Sequence, residues 1–282
     1  MYPFIHIGFL TLGSYGLMVA VGLICAFFLL RADFERRKVS ADAEAIIGLT
    51  GLAGLVGSRL YHLLESPREF FADPWPQLFS TMGFAFAGAI IGGFLALALL
   101  AKRFRMPALL MLDVASPAAA IGYGIGRIGC LLSGDGDYGI ATNLPWGMKF
   151  QPLQPGSTFL GFIRIDHGAL DPSYGATVRG FPPDAIVPVH PTPIYEFLVA
   201  ILIFWILWRL GARALQAHAP NGTIFAAYLL LTGIARFLVE LIRINPRSFF
   251  GLTNAQAASV VSVLAGLALY AYCRKVPRKV AA

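Results

Sequence analysis

The sequence predicts an all-α polytopic membrane protein: seven transmembrane helices, with an outward-facing loop or head inserted between the fourth and fifth. Three observations carry this. The chain is 57% hydrophobic and 13% charged, with mean hydropathy +0.69; soluble domains carry roughly 25% charged residues. Its apolar residues gather in runs of about 20, the length that crosses a ~30 Å hydrocarbon core. The basic residues between those runs are distributed asymmetrically, as short loops of membrane proteins are.

Taken in order, the spans fall at 9–30, 44–64, 81–101, 108–131, 192–212, 222–243 and 251–273. Charged or proline-containing breaks separate them, among them RADFERRKVSADAE, ESPREFFADPWPQ, AKRFRMP and RLGARALQAHAPN. There is no internal repeat and no low-complexity tract. The expected organisation is a single integral membrane domain over 1–282, containing an extracytoplasmic insertion at 133–191. The first run has no basic segment before it and no small-residue cleavage site after it, so it reads as a span and not as a signal peptide.

One set of loops holds Arg31, Arg36, Arg37, Lys38, Lys102, Arg103, Arg105, Arg209, Arg213, Arg274, Lys275, Arg278 and Lys279, more than half of the 22 basic residues. The opposite set holds only Arg68, Lys149, Arg164, Arg179, Arg243 and Arg247. The richer side is expected in the cytoplasm, which puts the N-terminus and the 133–191 insertion outside and the C-terminus inside. The net charge of +7 is therefore a matter of orientation, and no nucleic-acid partner is expected. Cys25, Cys130 and Cys273 are far apart in sequence, with no metal spacing and no disulfide framework. Gly124, Gly126 and Gly129 spell GxGxxG, but at the end of an apolar span and not in a βαβ unit, so no dinucleotide is expected. No cofactor is called for.

The informative residues are those that do not belong in a span. Arg127 stands among Gly122, Gly124, Gly126 and Gly129, and an ionisable group in a membrane helix costs about 2.5–3.5 kcal/mol on insertion scales. The glycines remove bulk beside it, which lets a lipid or another backbone approach. With the orientation above, Tyr15, Arg59, Arg127, Glu196, Arg236 and Glu240 all fall in the outer leaflet, Arg236 and Glu240 one helical turn apart. Three arginines against two glutamates leave positive charge over, and the phosphate of a lipid headgroup fits a planar guanidinium. Some of these positions have a second explanation. Arg59 also fits snorkelling to the interface, Arg236 with Glu240 a structural ion pair, and Tyr15 the aromatic belt. His190, Tyr195 and Glu196 form a second polar group in VHPTPIYEFL, where a histidine beside proline also fits a loop or capping role. Asp135, Asp137 and Tyr138 are either site or turn residues. Pro145 and Trp146 read as an interfacial anchor. The glycine runs at 48, 51, 54 and 57 and at 88 and 92 read as helix packing.

These segments together resemble the prolipoprotein diacylglyceryl transferase family. GRIGCLLSGDGDYG is similar to its signature, which runs roughly Gly-Arg-x-Gly-Asn-x-x-Asn-Gly-Glu. SYGLMVAVGLICA resembles its first span, GSRLYH its second-span arginine segment, HPTPIYE its His-Pro-Ser/Thr-x-x-Tyr-Glu motif, and GIARFLVELIR its Arg-Phe-x-x-Glu segment. GLTNAQAAS is similar to the start of its last span, so the likeness runs along almost the whole chain. The resemblance implies a bacterial inner-membrane enzyme without a cofactor. It would transfer the diacylglyceryl group of phosphatidylglycerol to the lipobox cysteine of a prolipoprotein signal peptide, releasing glycerol phosphate. It further implies that Arg127 and Arg236 hold phosphate, that Glu240 orients Arg236, and that Tyr15 contacts the headgroup. Arg59, Gly126, Gly129, Tyr195 and Glu196 are placed with the substrate, and Asp135 and His190 near the chemistry.

The chain departs from the family pattern at three places. Ala87-Gly88-Ala89 stands where the family has His-Gly-Gly or Tyr-Gly-Gly, Cys130 replaces the signature asparagine, and Asp135 replaces the glutamate. Ala87 removes the group proposed as general base in the family. Two further functions fit that change: a paralogue using phosphatidylglycerol with a different acceptor, and an inactive lipid-binding membrane protein.

Overall fold

The computed structural model describes residues 4–8, 10–65, 67–79, 85–133, 138–148, 188–245, 247 and 250–275. Among the described residues two short strands, β1 (Phe4–Ile7) and β2 (Leu10–Gly13), precede nine helices: α1 (Ser14–Arg37), α2 (Ala43–Glu65), α3 (Pro67–Ala72), α4 (Pro74–Phe79), α5 (Phe86–Arg103), α6 (Ala108–Ser133), α7 (Thr192–Gln216), α8 (Thr223–Glu240) and α9 (Asn254–Lys275). Seven of the described helices, α1, α2 and α5 to α9, are long and apolar enough to cross a membrane. These are the seven expected spans, with edges shifted by a few residues.

The first span moves at both edges, its helix running on to Arg37 beyond the expected end at 30. The first span begins at Ser14 and not at residue 9, because residues 4–13 form an antiparallel hairpin in which Phe4 faces Gly13 and Ile7 faces Leu10. That register leaves a two-residue connection, and Gly8 takes φ +60°, the positive value such turns need at their first central position. The helices α3 and α4, within the break after the second span, were also not anticipated.

The chain divides into two compact units, residues 26–115 and residues 1–25 with 116–282. In the first, α2 and α5 meet backbone to backbone. A Cβ on Gly57 would stand 2.5 Å from the Gly88 carbonyl oxygen, and one on Gly88 or Gly92 would collide with the Gly57 or Ala53 carbonyl in turn. The Ser58 hydroxyl donates to Ala85 O at 2.9 Å, and the Ala85 amide returns a bond to Ser58 O at 3.1 Å. The core of this unit is Leu30, Phe34, Ile46, Leu100, Met111 and Val114. Asp33, buried at the end of α1, accepts from Arg36 and Arg37 of its own helix.

In the second unit α8 packs on both α7 and α9. A Cβ on Gly233 or Gly266 would come to 3.0 Å from the Ser259 or Ala226 carbonyl oxygen, and Ser262 Oγ donates to Leu229 O at 3.0 Å. Ala120, Ile203, Leu207 and Ile224 form an apolar core among α6, α7 and α8. Beyond Ser133, which ends α6, residues 138–148 and 188–191 of the expected insertion are described. They are stitched by backbone bonds from Gly139 N to His190 O, His190 N to Ile140 O, Ile140 N to Ile242 O, and both ways between Met148 and Val189, at 2.8–3.1 Å. This stitching joins the exit of α6, the entry of α7 and the exit of α8, with Tyr138 and Val189 buried beneath it.

Candidate functional site at the exits of α6 and α8

Those three chain ends carry a connected group of charges. Glu196, one turn into α7 and 4% exposed, is its centre. Its Oε1 accepts from Tyr123 Oη at 2.6 Å and from Arg236 Nη1; its Oε2 stands 3.4 Å from Arg127 Nε and 3.6 Å from Arg243 Nη1. Glu240, at the end of α8 and 2% exposed, is the second carboxylate. Its Oε2 lies 3.1 Å from Arg236 Nη2 and 3.7 Å from Arg243 Nε, and its Oε1 accepts from Asn245 Nδ2.

Helical spacing explains the convergence. Tyr123, Arg127 and Cys130 lie at i, i+4 and i+7 on one face of α6; Arg236, Glu240 and Arg243 repeat that spacing on α8 and just past it. The Arg127 guanidinium sits over the Tyr123 ring, with Cζ 5.2 Å from its centroid, and its Nη1 is 3.7 Å from Cys130 Sγ. Close approach of the helices is helped by glycine: a Cβ on Gly124 would be 2.8 Å from Ala200 Cβ of α7.

Among the described residues, three guanidinium groups, Arg127, Arg236 and Arg243, meet two carboxylates, Glu196 and Glu240. A buried cluster of that kind is held together only if each charge keeps its partners, and loss of one costs several kcal/mol. Arg236 and Arg127 keep part of their side chains accessible, at 26% and 14%, whereas Arg243 is at 5%. The cluster therefore shows two arginines outward and holds them from behind with acids and a third arginine. That arrangement suits a bound phosphate, whose oxygens take charge-assisted hydrogen bonds from planar forks.

The other residues singled out in the sequence lie as follows. Tyr15, on the first turn of α1, is 49% exposed, and its ring passes close to Gly129: a Cβ there would stand 3.2 Å from Tyr15 Cδ2 and 3.1 Å from Met18 Cβ. At Gly126 a Cβ would meet nothing within 4 Å. His190 and Tyr195 form a separate small group, with His190 Nδ1 and Tyr195 Oη 3.1 Å apart and Trp146 Nε1 donating to Tyr195 Oη at 2.7 Å. Trp146, read from the sequence as an interfacial anchor, is thus also a hydrogen-bond donor to α7. Arg59 is buried on α2 in the unit of residues 26–115, and Ala87 is exposed in the first turn of α5 there. Asp135 and Asp137 lie outside the described residues. No group of three or more His, Cys, Asp or Glu placed to hold a metal occurs among the described residues. The sequence reading did not single out Tyr123, Arg243 and Asn245 for the site. Tyr123 and Arg243 could have been found by extending the helical spacing one turn from Arg127 and Glu240; Asn245 carries no signal.

The model of the prolipoprotein diacylglyceryl transferase family matches residues 3–272. The chain belongs to this family. Relatives named phosphatidylglycerol–prolipoprotein diacylglyceryl transferase include one from Leptospira interrogans, 29% identical over 275 residues, covering 86% of this chain and 77% of the relative. One from Clostridium tetani is 29% identical and covers 93% of both chains, and one from Chromohalobacter salexigens is 30% identical, covering 93% of this chain and 88% of the relative. Family membership and seven apolar helices make the chain a multi-pass inner-membrane transferase of lipoprotein biosynthesis.

Proposed function

We propose that the chain transfers the diacylglyceryl group of phosphatidylglycerol to the lipobox cysteine of a prolipoprotein, and that the arginines on Glu196 and Glu240 hold the lipid phosphate. In this reaction a thiolate sulfur attacks the glycerol carbon that bears the phosphate ester. The S–C bond forms as the C–O bond breaks, and the electron pair of that bond leaves on glycerol phosphate. Negative charge grows on the phosphate oxygens, so preorganised cations there lower the barrier; removing one such donor typically costs about 10²–10³ in rate. The observation that carries this reading is a pair of partly accessible arginines, Arg236 and Arg127, held side by side on the buried carboxylate of Glu196.

The glycine at 126 opens space beside Arg127, which suits approach of the glycerol backbone. Tyr15 is close enough to the exit of α6 to meet the headgroup. The proposed orientation has the N-terminus outside and the C-terminus in the cytoplasm, supported by basic last turns on α1, α5, α7 and α9. With Ala87 in place of the family's histidine or tyrosine, the acceptor thiol ionises in the field of the arginines, which favours thiolate; its proton passes to solvent with weak help from His190.

The test is direct. Purified protein is incubated with phosphatidylglycerol and a lipobox peptide, and the peptide is weighed by mass spectrometry. The expected product carries a diacylglyceryl increment on cysteine, with one glycerol phosphate released per peptide. An unmodified peptide alongside bound phosphatidylglycerol would instead favour the inactive lipid-binding reading.

A further inference from the structure

We propose that Tyr123 is a positioning residue for the phosphate site: its hydroxyl keeps Arg127 from closing onto Glu196. The inference rests on the assignment of Arg127 as a phosphate ligand and goes beyond it, because it gives Tyr123 a role through its contacts with Glu196 and Arg127. Tyr123 sits one turn before Arg127 on α6. Its Oη donates to Glu196 Oε1 at 2.6 Å, and the same oxygen receives Arg236 Nη1. Arg127 approaches the other oxygen, Oε2, with Nε at 3.4 Å. Its guanidinium lies over the Tyr123 ring with Cζ 5.2 Å from the centroid, and Nη1 turns toward Cys130 Sγ.

A guanidinium and a carboxylate prefer the two-bond fork, in which two N–H groups meet both oxygens. With Oε1 already taken by a phenol and by Arg236, that fork is closed to Arg127. The phenol is neutral, so it fills a lone pair of Glu196 without cancelling any of the charge on Arg127. Its ring adds a cation–π contact that holds the guanidinium plane in place. The hydroxyl and the ring thus act together: one blocks collapse onto Glu196, the other fixes the direction in which the donors of Arg127 point.

The test measures binding of a short-chain phosphatidylglycerol to full-length protein in detergent by calorimetry, so that inactive variants are still read. Tyr123→Phe keeps the ring and removes the oxygen. It should weaken lipid binding by the folded protein about 10-fold, the scale of one hydrogen bond to a charged group. Tyr123→Leu removes the ring as well and should weaken binding further. In an Arg127→Ala background, Tyr123→Phe should add nothing, since its effect passes through Arg127. Wild-type affinity in Tyr123→Phe, or the same loss with and without Arg127, overturns the inference. If Tyr123→Phe does not fold, Tyr123→Leu is read against Arg127→Ala in the same way. Wild-type affinity in Arg127→Ala is a different failure: it removes the phosphate assignment itself.

Discussion

Helices α2 and α5, in the unit of residues 26–115, approach through glycine; helices α6, α7 and α8, in the other unit, approach through charge. At the first contact Gly57, Gly88 and Gly92 bring backbones so close that a single Cβ has no room. At the second, two buried glutamates gather three arginines and a tyrosine. Small residues are how lipid-embedded helices gain packing without a hydrophobic driving force. Buried charges bring no such gain, since desolvation opposes them. A chain that has a cheaper way to join helices, and uses it between α2 and α5 and again between α8 and α9, keeps the costly way among α6, α7 and α8 for a reason other than stability. Binding an anion is the reason we propose.

If so, substitutions in the two regions should fail differently. The largest effect is expected from Glu196→Leu. It leaves Arg127, Arg236 and Arg243 without their shared carboxylate and should destabilise the protein by about 3–5 kcal/mol, seen as a fall in melting temperature together with loss of transfer. Next, Arg127→Ala and Arg236→Ala should each slow transfer about 10²–10³-fold while the protein still folds. Arg236→Lys should also fail substantially, because an ammonium cannot meet Glu196, Glu240 and phosphate as a planar fork does; full activity in the lysine variant would mean that only charge is needed. Gly88→Ala should do the opposite of the arginine variants. Overpacking against the Gly57 carbonyl should cost about 1–3 kcal/mol of stability, with turnover per folded molecule unchanged. The smallest effect concerns the proton. A free thiol has pKa about 8.5 and is mostly protonated at pH 7, so the peptide-dependent rate should climb from pH 6 to 9, reaching half its plateau somewhat below that value. His190→Gln should lower the rate only about threefold, the scale of one ordinary hydrogen bond. A sharp loss in that variant, with a changed shape of the pH profile, would make His190 the base.

The contrast between the regions also explains what could be read from the sequence. The helices were legible because length and hydropathy decide them, and the glycine spacing of α2 and α5 was legible as packing. The hairpin at residues 4–13 was not, because FIHIGFLTLG is apolar and runs without a break into the first span. Arg127, Glu196, Arg236 and Glu240 stood out as charges where apolar residues belong. Arg243 did not, because it lies past the apolar edge of its span, where basic residues are ordinary. Tyr123 was hidden for a related reason: a tyrosine near the end of a span also fits the aromatic belt. The Trp146–Tyr195 bond joins residues 49 apart through backbone bridges that no local pattern announces.

The central claim is that the arginines held by Glu196 and Glu240 stabilise charge on the departing phosphate. It is tested most directly by the single-turnover rate of glycerol phosphate release from phosphatidylglycerol in the presence of a lipobox peptide, compared between wild type and Arg236→Ala at matched folded concentration. The account predicts a rate per folded molecule about 10²–10³-fold lower in the variant, over and above any fall in melting temperature from the glutamates it leaves unpaired. Release at a near-wild-type rate from a folded Arg236→Ala protein would contradict it.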